Sequence, residues 1–158
     1  DEGMGCTADL LVFDGGRYVI GHVGDSRVYL LRDGRLRQLT KDHSLIQSRV
    51  DKGVLTPEEA KHHPGKNILL RAVGTDRSVA CDIVQGAVLG RDIFLLCSDG
   101  LTDMVDDSDI EIVLVSAQSL QQKVEPGEPA WANYCRGVAA HRPSAAVRWP
   151  GTGGPRPR

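Results

Sequence analysis

The first third of the chain alternates short apolar runs with breaks rich in Gly and Asp, the pattern of β-strands joined by tight turns. "TADLLVF" and "RYVIGHV" are two such runs, separated by Asp14-Gly15-Gly16. "RVYLLRDGRLRQLT" predicts a hairpin, because Asp33-Gly34 between two β-rich arms supplies the positive φ of a tight turn. "HSLIQSRVDKGVL" has helical spacing at Leu45, Ile46 and Val50, with Gly53 as its stop. In "TPEEAKHH", Thr56 is an N-cap, Pro57 opens the helix, Glu59 completes a capping box and Pro64 ends the segment. "SVACDIVQGAVL" and "DIFLLCS" predict two further strands, the second apolar throughout and so buried on both faces. "SDIEIVLVSAQSLQQKV" returns to a helical period, with acids in its first turn to complement the helix dipole. The pattern is α+β, with strands dominating the opening.

Near Pro126 the texture changes. Six of the eight prolines, both tryptophans and five arginines fall in residues 126–158, which contain no Leu, Ile, Phe, Met or Lys. Prolines at that density break regular elements, so the expectation is a core over residues 1–125 and a disordered tail over 126–158. Out-of-frame translation of GC-rich DNA would give the same composition. The chain's 158 residues suit one domain, and 41% hydrophobic with 25% charged residues is a soluble globular composition. A net charge of −2 predicts neither nucleic acid nor an anionic membrane as partner. No apolar run approaches the roughly 20 residues of a spanning helix. The four cysteines are scattered, and Cys81 and Cys97 lie in apolar runs, which predicts reduced, buried thiols and a cytoplasmic location.

Two strand-like runs end on an acid beside a glycine: "YVIGHVGDSR" at Asp25 and "IFLLCSDGL" at Asp99. Singly, each is as readily a turn, because Asp caps nearby backbone N–H groups. A cysteine-based phosphatase would need an arginine where Asp103 stands, and an aspartyl-phosphate enzyme would need a carboxylate where Cys97 stands. No nucleophile elbow, Walker loop or H-E-x-x-H occurs, and His62-His63 reads as an exposed pair. Hard-metal chemistry is what remains. Strand-end carboxylates with glycine beside them suit hydrated Mg²⁺ or Mn²⁺, and paired ions activate water against a phosphoryl group.

Together, "GMGCTADLLVFDGGRYVIGHVGDSRVYLLRDGRLRQLTKDHSLIQ", "GVLTPEEAKHHPGKNILLRAVGTD" and "IFLLCSDGLTDMVDDSDI" resemble the metal-dependent PPM-type serine/threonine protein phosphatases, the compact bacterial members most of all. The resemblance covers roughly residues 3–125. It implies a β-sandwich of two antiparallel sheets flanked by helices, incomplete at its amino-terminal side. It also implies a dinuclear Mn²⁺ or Mg²⁺ centre that hydrolyses phosphoserine and phosphothreonine. Asp99 would be a ligand of that centre, Gly100 would allow close approach, and Asp25 with Asp99 would hold a third metal. Residues Ser44 to Asn67 match a mobile flap, with Asn67 near the third metal. Cys6 and Thr7 fall at a packing position. Phosphoproteins, together with a serine/threonine kinase and its targets, would be the partners of a monomer.

The family's amino-terminal bridging acid and phosphate-gripping arginine have no counterpart in this sequence, nor does its final D-N ligand. The chain thus reads as the carboxy-terminal portion of a phosphatase domain, expected to be inactive alone. The rival is a catalytically dead module that binds phosphoproteins or a kinase. A gene fragment without a function of its own is the third reading.

Overall fold

The computed structural model describes residues 4–116 and 139–141. Strand β1 (Ala8–Asp14) returns as β2 (Arg17–Val23) over Gly15 and Gly16, at φ 52° and 78°. Strand β3 (Arg27–Arg32) returns as β4 (Arg35–Gln38) over Asp33 and Gly34, at φ 51° and 75°. Both are the positive-φ, two-residue turns that the sequence predicts. Helix α1 (Leu45–Asp51) is capped by Ser44, whose side chain accepts from the Gln47 N–H, and Gly53 turns left-handed just beyond it at φ 68°. Helix α2 (Pro57–Lys61) carries the predicted capping box: the Glu59 N–H donates to Thr56 Oγ1 at 3.2 Å, and the Thr56 N–H donates to Glu59 Oε2 at 2.8 Å. Strands β5 (Asp82–Ala87) and β6 (Ile93–Cys97), helices α3 (Asp99–Thr102) and α4 (Asp107–Val115), and strand β7 (Ala139–His141) complete the described elements.

The strands form two antiparallel sheets, ordered β1-β2-β5 and β4-β3-β6-β7, so the architecture is the expected α+β sandwich. Alternation of side chains between two buried faces explains why the middle of β3 and the whole of β6 are apolar. Val28, Leu30 and Phe94 point between the sheets to meet Tyr18 and Ile20. There the Phe94 ring lies edge-on to Phe13 and Tyr18, each at 5.1 Å. The intervening residues Tyr29, Leu31, Ile93, Leu95 and Cys97 face the other way and bury Leu101 of α3 with Ile110 and Leu114 of α4. The four-stranded sheet is therefore covered on both faces. The outer face of β1-β2-β5 instead presents Leu10, Val12, Val19 and Ile83 to solvent.

Two expectations need correction. Cys97 is buried, but Cys81 is exposed. The pairing of β5 with β2 begins only at Asp82 opposite His22, so Cys81 precedes the strand. Within the segment expected to lack regular structure, Ala139–His141 pairs with β6. The edge of β6 away from β3 offers free backbone groups, and backbone pairing needs no side-chain periodicity. The rest of the tail lies outside the described residues, as do residues 117–124 of the predicted last helix. Among the described residues no helix is long and apolar enough to cross a membrane.

Candidate metal centre

Strands β2 and β3 belong to different sheets, so the chain must cross between Val23 and Arg27, and Asp25 lies in that crossing. Gly24 is at φ 121°, and a Cβ there would come within 2.4 Å of Thr7 Cγ2. Only glycine fits such a bend. On the other side of Asp25, Ser26 Oγ shares a 2.8 Å hydrogen bond with Thr7 Oγ1. Thr7 thus packs against both neighbours of Asp25, in keeping with the packing position read from the sequence.

The second acid arrives along the partner strand. Arg27 stands opposite Cys97 in the β3–β6 ladder. The ladder ends at that pair, with Asp25 in the crossing just before β3 and Asp99 opening α3 just after β6, so both acids lie at the same end of the paired strands. The charge of Asp99 reaches the Asp25 carboxyl. Burial pushes the Asp25 carboxyl above its ordinary range, and the charge of Asp99 pushes it further. Asp42 adds to the push, while the Asp25 backbone N–H and the Arg27 charge oppose it. Asp99 itself is exposed at the first position of α3, after Ser98, and Gly100 beside it is exposed too. A Cβ at Gly100 would meet only Ser98 Oγ at 3.4 Å, an ordinary contact.

Asn67 is also exposed. It follows Lys66, whose Nζ lies 2.8 Å from Asp103 Oδ2. That ion pair ties the end of the segment from Ser44 to Asn67 to the helical turn after Asp99. Asp25, Asp99 and Gly100 thus lie at the same end of the β3–β6 pair, and Asn67 is linked to it through its neighbour Lys66. His62 is exposed as expected, but His63 is half-buried, contacts Arg49 Nη1 at 3.3 Å and accepts the Gly65 N–H at 3.0 Å.

The pattern along the sequence did not single out the residues that support this end. Arg27 donates to Asp42 through Nε (3.0 Å) and Nη2 (2.7 Å), a bidentate pair that lifts the guanidinium's pKa against the opposing effect of burial. Arg27 Nη1 also donates to the Tyr29 hydroxyl at 3.2 Å, which donates on to Asp107 at 3.0 Å. This chain anchors the start of α4 to β3. Asp103 entered the sequence reading only as the acid that stands where a cysteine-based phosphatase would need an arginine. Asp42 carries no local signal beyond the phrase "LTKDHS".

Ionised carboxylates that repel one another, in a bend shaped by glycine, fit a hard divalent cation such as Mg²⁺ or Mn²⁺. Among the described residues no group of three or more His, Cys, Asp and Glu side chains gathers to hold an ion. Asp25 and Asp99 by themselves fall short of such a group.

Residues 1–49 match the sequence profile of the family described as Protein phosphatase 2C. Over 124 residues the chain is 45% identical to the serine/threonine phosphatase stp of Listeria welshimeri, covering 78% of this chain and 49% of that protein. The crystal structure of the Mycobacterium tuberculosis serine/threonine phosphatase PstP superposes with a TM-score of 0.72 at 41% identity, over 78% of this chain and 53% of that one. A second structure, the PstP catalytic domain in complex with two manganese ions, gives 0.63 at 44% identity over 71% of this chain and 46% of that one. The chain spans about half the length of the relatives it matches.

Proposed function

We propose that this chain, which has the PPM phosphatase fold and is related to the bacterial PP2C-type serine/threonine phosphatases, contributes metal ligands to a protein phosphatase centre. What supports the proposal is that Asp25 and Asp99 flank the same end of the β3–β6 ladder, where the charge of Asp99 helps push the Asp25 carboxyl up. Asp25 and Asp99 would hold Mn²⁺ or Mg²⁺ as hard oxygen donors, with Asp99 also serving a dinuclear centre. A bound ion of this kind acidifies water and neutralises the oxygens of a phosphoryl group. The chain's own residues orient the donors. Gly24 and Thr7 fix the bend at Asp25, the Arg27–Asp42 pair braces the strand that follows, and Lys66–Asp103 holds the flap segment against α3. The substrates would be phosphoserine and phosphothreonine in proteins, set by a serine/threonine kinase. Two acids do not complete a dinuclear site, so these 158 residues alone should turn over little or no phosphate ester.

The test joins the chain to the portion of the Listeria relative that it does not match, then assays phosphothreonine-peptide hydrolysis with and without Mn²⁺. The expected result is Mn²⁺-dependent turnover, lost in Asp25→Asn and Asp99→Asn. Turnover indifferent to both substitutions would refute the assignment. Metal-independent binding of the phosphopeptide without turnover would favour the docking module instead.

A further inference from the structure

Behind the Asp25 bend lies a row of acids and histidines, buried at His22 and His43 and open to solvent at Asp82. Asp9, His22 and Asp82 are direct neighbours across β1, β2 and β5, so their side chains share one face of the sheet. His22 is fully buried. Its Nδ1 lies 2.7 Å from Asp9 Oδ1 and its Nε2 lies 3.0 Å from the Lys41 carbonyl oxygen. Both partners accept, so both ring nitrogens donate and His22 is an imidazolium paired with Asp9. Its pKa is raised: burial pulls it down, but the Asp9 hydrogen bond and charge, with the Lys41 carbonyl and Asp42, outweigh burial.

The second ring, His43, lies against the first with centroids 4.6 Å apart and the planes tilted by 38°. Its Nδ1 receives the Gly24 N–H at 3.1 Å, and its own backbone N–H donates to the Gly24 carbonyl at 2.7 Å. A backbone N–H can only donate, so Nδ1 must carry a lone pair. The ring proton therefore sits on Nε2, which points at Asp82 Oδ2, 3.1 Å away. The 3.3 Å approach of Arg71 Nη1 to that same nitrogen then joins two donors, and the true partner of Arg71 is Asp82 Oδ1 at 2.9 Å.

We propose that His43 is a positioning residue for Asp25: held as the Nε2–H tautomer by Asp82, it clamps both backbone groups of Gly24 and so sets where the Asp25 carboxylate points. The importance of the clamp for metal binding rests on the function proposed above, whereas the clamp itself does not. Asp82 orients the ring from one edge, and the His22–Asp9 pair supports its face. The clamp also ties the bend to the flap segment, since Ser44 follows His43 and the His43 carbonyl accepts the Leu70 N–H at 2.7 Å.

The test is heteronuclear NMR on the 158-residue chain and on His43→Ala, His43→Asn and Asp82→Asn. Long-range ¹H–¹⁵N spectra of the wild type should show an unprotonated Nδ1 and a protonated Nε2 at His43; the reverse tautomer overturns the proposal. Exchange of the Gly24 amide should speed up roughly tenfold in His43→Ala. It should recover in His43→Asn, whose side-chain oxygen can take the place of Nδ1, and change less in Asp82→Asn. Equal exchange in the Ala and Asn variants would refute the clamp. Titrated Mn²⁺ should broaden the Asp25 and Asp99 amides together in the wild type, but Asp99 ahead of Asp25 in His43→Ala. Unchanged joint broadening there would overturn the positioning role. Absence of broadening in the wild type, with the tautomer and exchange results intact, would sink the metal assignment and leave the clamp standing.

Discussion

Asp25→Asn separates the metal-centre reading from an ordinary turn most sharply. Without metal, Asp25 carries its charge partly buried and within reach of the Asp99 charge, and its folded pKa lies above its unfolded value. Such an acid binds its proton more tightly when folded. Its effect on stability is therefore most favourable below the unfolded pKa and is lost as pH rises through the folded pKa. At pH 7 the charge is a net cost. Two carboxylates in close approach repel by between about 1 and 4 kcal/mol, depending on how much water lies between them. Asp99 is exposed, so the lower figure applies, and the partial burial of Asp25 adds a similar amount. Asp25→Asn should then stabilise the metal-free chain by about 1–2 kcal/mol at pH 7, or about 3–6 °C in Tm for a domain of this size. The two proteins should converge as pH falls below the carboxylate range. With Mn²⁺ at a hundred times its Kd, the wild type should gain about 2.7 kcal/mol that the variant lacks, reversing the order. Thermal melts from pH 3 to 8, in chelator and in Mn²⁺, measure each quantity. A variant less stable than wild type in chelator at pH 7 would mean that Asp25 serves its own turn, and the reasoning would fail.

Asp42→Ala should cost about 2–3 kcal/mol in urea denaturation, because it strands the largely enclosed Arg27 guanidinium without its bidentate partner. His22 has a folded pKa above its ordinary 6.5, so its stabilising contribution is complete below that value and fades as pH rises through the folded one. Asp9→Asn should flatten that slope in melts between pH 5 and 8. Ile110→Ala empties a fully buried site between α4 and the four-stranded sheet and should cost about 2–5 kcal/mol by the same denaturation measurement. Thr56→Ala removes the capping box of α2 and should cost about 1 kcal/mol, visible as faster amide exchange at Glu59.

What the sequence revealed was local. The turns at Gly15-Gly16 and Asp33-Gly34 follow from residues that tolerate positive φ, and the start of α2 follows from Thr56, Pro57 and Glu59. The unbroken apolar run of β6 correctly implied burial on both faces. Pairing between distant strands was not legible. Nothing near Arg27 says that Cys97 lies opposite, and nothing near His22 predicts a rung shared with Asp9 and Asp82. Asp25 and Asp99 stood out because each follows an apolar strand beside a glycine. His43 and Asp42 did not, since their importance comes from partners in other elements. Cys81 was misread because hydrophobic neighbours in sequence do not show where a ladder begins.

That Asp25 and Asp99 flank one end of the same strand pair is a matter of counting, and counting is what insertions and deletions disturb. One residue gained or lost anywhere along β3 or β6 would shift the ladder by a step and send every later side chain to the opposite face. The apolar character of both strands would survive such a lesion almost unaltered, so bulk hydrophobicity would not betray it. Naturally occurring or engineered length variants should therefore collect in the hairpin tips and in the flap, while the spans Arg27–Arg32 and Ile93–Cys97 keep their length even where their letters change.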